Sequence, residues 1–158
     1  MNEWLMHLYE YHAWASERVL QHLRSLPADL FHQEVELGFH SVAEAIGHLA
    51  AAEEVWFARM QEQVPPSLAA RRFAGPDEAS LHMNKLQSQI RHFLSGVDLQ
   101  HIVTYKNTAG QTFSNSIAEI IQQVVNHGTY HRGNITTILR SLGQSGTMTD
   151  YIAYVRTH

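Results

Sequence analysis

The sequence contains no cysteine among its 158 residues. Disulfide bonds, a cysteine nucleophile and thiolate metal ligands are therefore excluded, and any thiol chemistry must come from a cosubstrate. A strongly basic segment is also absent, and the formal net charge is −4. Because sequence-independent binding to nucleic acid depends on cations that neutralise phosphates, we expect no nucleic-acid partner.

Long apolar runs are missing as well. No stretch approaches the roughly 18–20 residues of a membrane span, and the chain does not open on a segment resembling a signal peptide. We therefore expect no membrane partner and a cytoplasmic location. The length predicts one domain, 1–158, that buries about two-thirds of the surface of its unfolded chain.

Apolar residues recur at helical spacing through most of the chain, which predicts an all-α fold. Residues 27–40 form a connection, and the proline-rich stretch 64–76 is long enough for a crossover along a bundle. Between Gly96 and Asn115 the pattern indicates a short β-hairpin or extended loop. The predicted helices cover 2–26, the stretch from Ser41 to about Gln63, 77–94, 116–143 and, as a short terminal helix, 151–155. Capping boxes are predicted at Ser41 with Glu44 and at Ser116 with Glu119.

What the sequence does contain is histidine, twelve in all. His127 and His131 lie four residues apart, in the same helical stripe as Val124 and Ile135. Burying a polar ring without a partner costs about 1–3 kcal/mol. A divalent cation would satisfy both rings, and an i, i+4 pair is a common way for one helix to offer two ligands. Two hydrogen-bonded structural histidines are the alternative, since twelve histidines make chance pairs common.

His48 occupies an equivalent position on the apolar arc of the second helix, beside small alanines. Glu53 lies at the other edge of that arc, where it could hold an imidazole, accept a proton or bond to a neighbouring side chain. The economical arrangement is a four-helix bundle in which His48 faces His127 and His131. Three neutral imidazoles would form an open site that suits Zn, Ni, Fe or Co. For His12, which lies on the apolar stripe of the first helix, we favour a core or rim role over ligation.

Two further features surround the His127–His131 pair. Arg132 is turned about 100° away from His131 on a helix, so we expect it at the surface or in a dimer contact rather than as an anion clamp. Gly128 and Gly133 each cost a helix about 1 kcal/mol relative to alanine. Close helix approach is the favoured explanation for both glycines, ahead of access to the metal.

Several motifs, in order along nearly the whole chain, resemble the DinB family, which includes YfiT-like metal-dependent proteins. They are YHAWASERVL from residue 11, HLAAAEEVWFARM from His48, YKNTAGQTF from Tyr105 and VVNHGTYHRGNITTILRSLG at 124–143. The resemblance implies a four-helix bundle of up-down-down-up type with its crossover after the second helix. It also implies homodimers and a divalent metal held by His48, His127 and His131.

The sequence departs from the family pattern at positions that line the expected pocket. Ser16 stands where asparagine is usual, Asn134 where glutamine is usual, and His12 where asparagine is frequent. These departures bear on the choice of substrate. All three expected metal ligands are present.

The resemblance and the residues together favour a metal-dependent enzyme, a thiol-dependent transferase or a hydrolase. A low-molecular-weight thiol such as bacillithiol or mycothiol would be the cosubstrate of a transferase. Glu53 is the candidate for a base, or for an orienting group behind the metal ligands. The alternative is a non-catalytic bundle, with either a ligand-sequestering pocket or a structural metal that His12 or Glu53 closes as fourth ligand.

Overall fold

The computed structural model describes residues 2–158 and confirms the predicted bundle, hairpin and short terminal helix. A 3₁₀ turn at Ala28–Phe31 lies in the first connection. Within these residues no helix combines the length and apolarity needed to cross a membrane. The elements are α1 (Asn2–Arg24), α2 (Val42–Met60), α3 (Pro76–Gly96), β1 (Ile102–Lys106), β2 (Thr112–Ser116), α4 (Ile117–Ser141) and α5 (Tyr151–Val155).

Serine caps start the two helices that carry the candidate metal ligands. The Ser41 side chain accepts a hydrogen bond of 3.0 Å from the backbone N–H of Glu44 at the start of α2. At the start of α4, Ser116 and Glu119 exchange side-chain and backbone hydrogen bonds in a capping box. Both caps satisfy backbone N–H groups that have no partner within the helix. The capping box predicted at Ser116 and Glu119 is confirmed. At Ser41 only the serine half of the predicted box forms, because the Glu44 carboxylate accepts from the backbone N–H of His40 instead.

The helices run up, down, down and up. Arg24 at the end of α1 bonds to Asp77 at the start of α3, over 2.6 Å, and Arg91 late in α3 bonds to Glu10 early in α1, over 2.7 Å. These two helices are therefore antiparallel. Both helices of the α1–α4 pair contribute early residues to one core cluster and late residues to the other, so this pair is parallel. Neighbours around the bundle follow the order α1, α3, α2, α4.

The crossover between α2 and α3 is held against α2 at Gly47. The backbone N–H of Arg71 donates to the carbonyl oxygen of Gly47 over 2.9 Å. A Cβ atom at position 47 would lie 2.0 Å from the carbonyl oxygen of Arg71. Only glycine allows this close approach, which keeps the crossover beside the helix that carries His48.

The hairpin lies at the other end of α2. Its strands pair antiparallel, with Ile102 opposite Ser116 and Lys106 opposite Thr112. Val103 is fully buried, and the guanidinium of Arg59 in α2 donates to the carbonyl oxygen of Lys106 over 3.2 Å. The hairpin loop therefore borders the last two turns of α2.

Two apolar clusters fill the bundle, one at each end. Between them the helices contribute buried polar side chains at matching heights. These are His12 and Ser16 of α1, Glu53 of α2, Gln87 of α3 and Arg132 of α4. A bundle with a polar layer at mid-height must satisfy the hydrogen bonds of that layer internally.

Candidate metal centre

The three predicted ligands meet at one point between α2 and α4. Each of His48, His127 and His131 offers a ring nitrogen, and these atoms all lie within 4.8 Å of one another. The Nε2 atoms of His48 and His127 are 3.2 Å apart. Because α2 and α4 are antiparallel neighbours, the early part of one helix faces the late part of the other. The sequence prediction that these rings come together is confirmed.

The orientation of His131 is fixed by its neighbours. Its Nδ1 lies 3.0 Å from Oδ1 of Asn134, one turn later in α4. Because the amide oxygen only accepts, Nδ1 donates and the lone pair of the ring is left on Nε2. Phe39, in the connection before α2, packs its ring 5.3 Å from that of His131 and 5.4 Å from that of His48.

Electrostatics keeps the three rings neutral at physiological pH. Burial, followed by the proximity of His131 and then His48, lowers the pKa of His127 to about 4. Burial and the proximity of His131 lower the pKa of His48. Burial also lowers the pKa of His131, and its bond to Asn134 opposes this only in part. Three neutral imidazoles keep their lone pairs available for a cation.

The donor set fits a divalent cation. Two nitrogens that bind one tetrahedral zinc ion at about 2.0–2.1 Å lie about 3.3 Å apart. The separation of 3.2 Å between Nε2 of His48 and Nε2 of His127 is close to that value. Three nitrogen donors without a fourth protein ligand are typical of catalytic zinc sites, whereas structural sites are closed by four.

Open space lies on both sides of the histidine group. A cleft of about 500 Å³ runs from His48 and His127 along α2 towards the hairpin loop, and we call it the α2 cleft. On the other side of His131, a cavity of about 310 Å³ is lined by Phe39, Tyr130 and Asn134 among others. The group is therefore accessible to small molecules.

Comparison with known proteins agrees with the fold. The sequence profile described as "DinB family" matches residues 1–158. The chain belongs to the DinB family. Protein DinB of Bacillus subtilis (strain 168) is 27% identical over 166 residues, covering 98% of this chain and 95% of that protein.

Two solved structures share the fold of this DinB-family chain. A DinB-like protein from Bacillus cereus ATCC 10987 superposes with a TM-score of 0.72 at 16% identity, over 92% of this chain and 95% of that one. YfiT from Bacillus subtilis has a TM-score of 0.70 at 13% identity, over 92% and 91% of the two chains. YfiT is described as "a probable metal-dependent hydrolase with an unusual four-helix bundle topology".

Glu53 and His12 lie outside the group of three histidines. The Glu53 carboxylate is buried and accepts hydrogen bonds from the Tyr9 hydroxyl over 2.7 Å and from Nε2 of His12 over 3.2 Å. Neither residue belongs to the set of ligand atoms that all lie within 4.8 Å of one another. His12 is 2% exposed, which confirms the core role predicted for it.

The prediction for Arg132 is wrong. Its side chain is 3% exposed, and its guanidinium lies 3.4 Å from Nδ1 of His12 and 3.1 Å from the Thr129 hydroxyl. It also packs over the ring of Tyr11, 5.6 Å from the centroid. The rotation of about 100° from His131 was correct, but that face of α4 meets α1 rather than solvent.

The two glycines of α4 differ. A Cβ atom at Gly128 would lie 2.4 Å from the ring of His12, so close helix approach explains this glycine. At Gly133 a Cβ atom would meet nothing within 4 Å, so the same explanation is wrong there. The structure gives no packing reason for Gly133.

Sequence reasoning missed Phe39 and the contact made by Asn134. Phe39 lies in an irregular connection, where no periodicity assigns a side chain to a face. Asn134 was noted only as a departure from the family pattern. Its position three residues after His131 was the available signal, because residues at i and i+3 of a helix are neighbours.

Proposed function

We propose that this chain is a metal-dependent enzyme whose divalent cation is held by His48, His127 and His131. The observation that carries the proposal is the convergence of three neutral imidazoles from two helices beside an open cleft. Zn, Ni, Fe and Co all suit three nitrogen donors. The YfiT description supports a metal-dependent reaction, as does membership of the family.

The residues around the group have separable roles in this proposal. When bound, the cation would supply a Lewis acid that lowers the pKa of a water or thiol to about 7. Asn134 holds the Nδ1 proton of His131, which directs Nε2 towards the site. Phe39 shields the rings of His48 and His131 from solvent on one side. The α2 cleft admits the substrate.

The nucleophile, water or a thiol, defines the reaction class. A hydrolase would use water, and a transferase would use a low-molecular-weight thiol, which must be a cosubstrate because the chain has no cysteine. Glu53 enters the proposal as an orienting group rather than a base. Its carboxylate is already hydrogen-bonded to Tyr9 and His12. The ring of His12 in turn lies against Gly128 of α4, the residue after His127.

Metal analysis tests the proposal directly. Protein purified on a tag without histidines should bind about one equivalent of divalent metal, measured by mass spectrometry after dialysis. His127→Ala should lose affinity by more than the roughly 10- to 100-fold that removal of a residue behind the ligands costs. His92→Ala, at an exposed histidine on α3, is the matched control and should bind like the wild type.

Activity screens then separate the candidate functions. Hydrolase and thiol-transfer assays should show turnover by the wild type and His92→Ala, and none by His127→Ala. Equal metal content in all three proteins would refute the centre. Metal binding without turnover would favour a structural metal or a ligand-sequestering pocket.

The homodimer is a prediction of the family resemblance. Light scattering during size-exclusion chromatography should give a mass near twice the 18.0 kDa of the chain. A mass of one chain at all concentrations would contradict it. The metal proposal does not depend on this result, because α2 and α4 of one chain supply all three histidines.

A further inference from the structure

The α2 cleft has a polar end and an apolar wall that the metal centre does not explain. The wall includes Trp56 and Leu68, and the far end is formed by Arg59 and Lys106. His48 and Arg59 are eleven residues apart on α2, or about 16 Å along the helix axis. The same face of one helix thus carries a candidate metal ligand and a cation, with apolar surface between them.

Arg59 is held rigidly without a carboxylate. Its guanidinium carbon lies 4.5 Å from the ring centroid of Trp56 and 4.8 Å from that of Tyr105. Among the described residues, the Arg59 side chain makes one hydrogen bond, from Nη2 to the carbonyl oxygen of Lys106. Its buried Nε has no hydrogen-bond partner among the same residues. Packing against two rings restricts the orientation of the guanidinium and lowers the entropy lost when it binds an anion.

This arginine differs from others on the bundle. Arg24 donates to Asp77 over 2.6 Å, and Arg91 donates to Glu10 over 2.7 Å. By contrast, no aspartate or glutamate is among the described residues that line the α2 cleft. The described lining of the α2 cleft therefore contains two cationic side chains, Arg59 and Lys106, and no carboxylate, in a chain with a formal net charge of −4.

We propose that the α2 cleft binds a small organic anion with an apolar body, whose anionic group contacts Arg59 and Lys106. The guanidinium fork matches a carboxylate or a phosphoryl group, and Lys106 adds a flexible second charge. The apolar body packs on Trp56 and Leu68, which leaves the other end of the molecule near His48 and His127. This substrate class rests on the proposed metal-dependent function for its reaction, but the binding step does not require the metal.

Matched ligands test the proposal. We expect 4-phenylbutyrate to bind the wild type on the order of tenfold more tightly than its neutral amide, 4-phenylbutanamide, at low ionic strength, as measured by calorimetry. The preference should shrink as salt is added. A phosphonate with the same phenylpropyl body shows whether carboxylate or phosphoryl is preferred. Equal affinity for the acid and the amide would overturn the proposal without any variant.

Variants locate the anionic group. Arg59→Met keeps the apolar length of the side chain and should remove most of the preference, and Lys106→Met, at an exposed position, should reduce it. Arg72→Met, at an exposed arginine outside the cleft, is the control and should keep it. If Arg59→Met fails to fold, the test is the comparison of Lys106→Met with Arg72→Met: the preference for the acid should fall in the first variant and not in the second. A preference unchanged in the cleft variants would overturn the proposal.

A metal ion also attracts anions, so the titrations are repeated with His127→Ala. A preference for the acid that persists in that variant supports binding at Arg59 even if the metal-dependent function fails. A preference that disappears in His127→Ala places the anionic group at the histidines and overturns the inference. Failure of anion binding at Arg59 can thus be distinguished from failure of the proposed metal-dependent function.

Discussion

The bundle contains two groups of buried or half-buried histidines that solve the same problem in opposite ways. In the closed network, the ring of His12 has a partner on each nitrogen, Glu53 on Nε2 and Arg132 on Nδ1. In the open group, the rings of His48 and His127 face each other, and their ring nitrogens have no carboxylate or guanidinium partner among the described residues. A buried imidazole thus needs either complementary protein groups or a ligand that completes it.

The closed network is balanced in charge. The guanidinium of Arg132 can only donate hydrogen bonds, so Nδ1 of His12 must accept one. The ring proton of His12 is therefore on Nε2, facing Glu53. The ring therefore lies between the buried guanidinium of Arg132 and the buried carboxylate of Glu53. The Tyr9 hydroxyl donates to the same carboxylate, and burial together with Glu53 raises the pKa of Tyr9. Such a network stabilises the fold only while every member is present.

Removing Glu53 should give the largest effect on stability. Glu53→Ala leaves Arg132 without its counter-charge and should lower the free energy of unfolding by about 3–5 kcal/mol. Urea unfolding of metal-free protein measures this. His127→Ala, the matched change in the open group, should change stability much less, because removing its ring leaves no buried charge without a partner.

The converse outcome would break the comparison. If Glu53→Ala left stability unchanged and abolished metal binding, the carboxylate would belong to the metal centre. If metal-free His127→Ala were the less stable variant, the open group would be a structural element in its own right. Measuring metal content and unfolding on the same preparations separates these cases.

Gly128 gives the next largest effect, because it determines how closely α1 and α4 approach in the closed network. A methyl group there meets the ring of His12, so Gly128→Ala should cost about 1–3 kcal/mol through overpacking. Gly133→Ala on the same helix is the matched control. Its methyl group meets nothing, so it should be neutral or stabilise by up to about 1 kcal/mol. Thermal unfolding of the two variants checks the difference, and equal losses would contradict it.

The comparison also shows how far the sequence determines the molecule. Helical periodicity and two serine caps were enough to predict the helices, and shared position on the apolar stripes was enough to bring His48 to His127 and His131. Periodicity describes one stripe on each helix. It does not show that α4 is covered by α1 on a second face, which is why Arg132 was wrongly expected at the surface.

Partners of buried polar residues were the second gap. The sequence offered Glu53 several roles, and nothing in its local pattern selected Tyr9 and His12, more than forty residues away, as its partners. Such pairings depend on the relative heights of the helices, which are set by loop length and core packing. Irregular segments add the same difficulty, since Phe39 reaches the histidines from a connection without any period.

The smallest expected effect is the loss of folding stability at acidic pH. Burial alone would raise the pKa of Glu53, but the adjacent His12 and the hydrogen bonds from His12 and Tyr9 bring it below its ordinary value of 4.5. In the unfolded chain the carboxylate is protonated more readily, so stability is fully present above about pH 4.5 and is lost as the pH falls further. Because burial opposes the lowering, the loss is modest.

Urea unfolding between pH 6 and pH 3 measures this loss, with Glu53→Gln as the control. The other acidic residues titrate in both proteins, so the difference between the two curves isolates Glu53. We expect the wild type to lose more stability than Glu53→Gln below pH 4.5. A shallower fall in the wild type would mean that the carboxylate is more easily protonated in the folded chain than in the unfolded one. In that case burial would outweigh its bonds to His12 and Tyr9, and the closed network would not be a charge-balanced one.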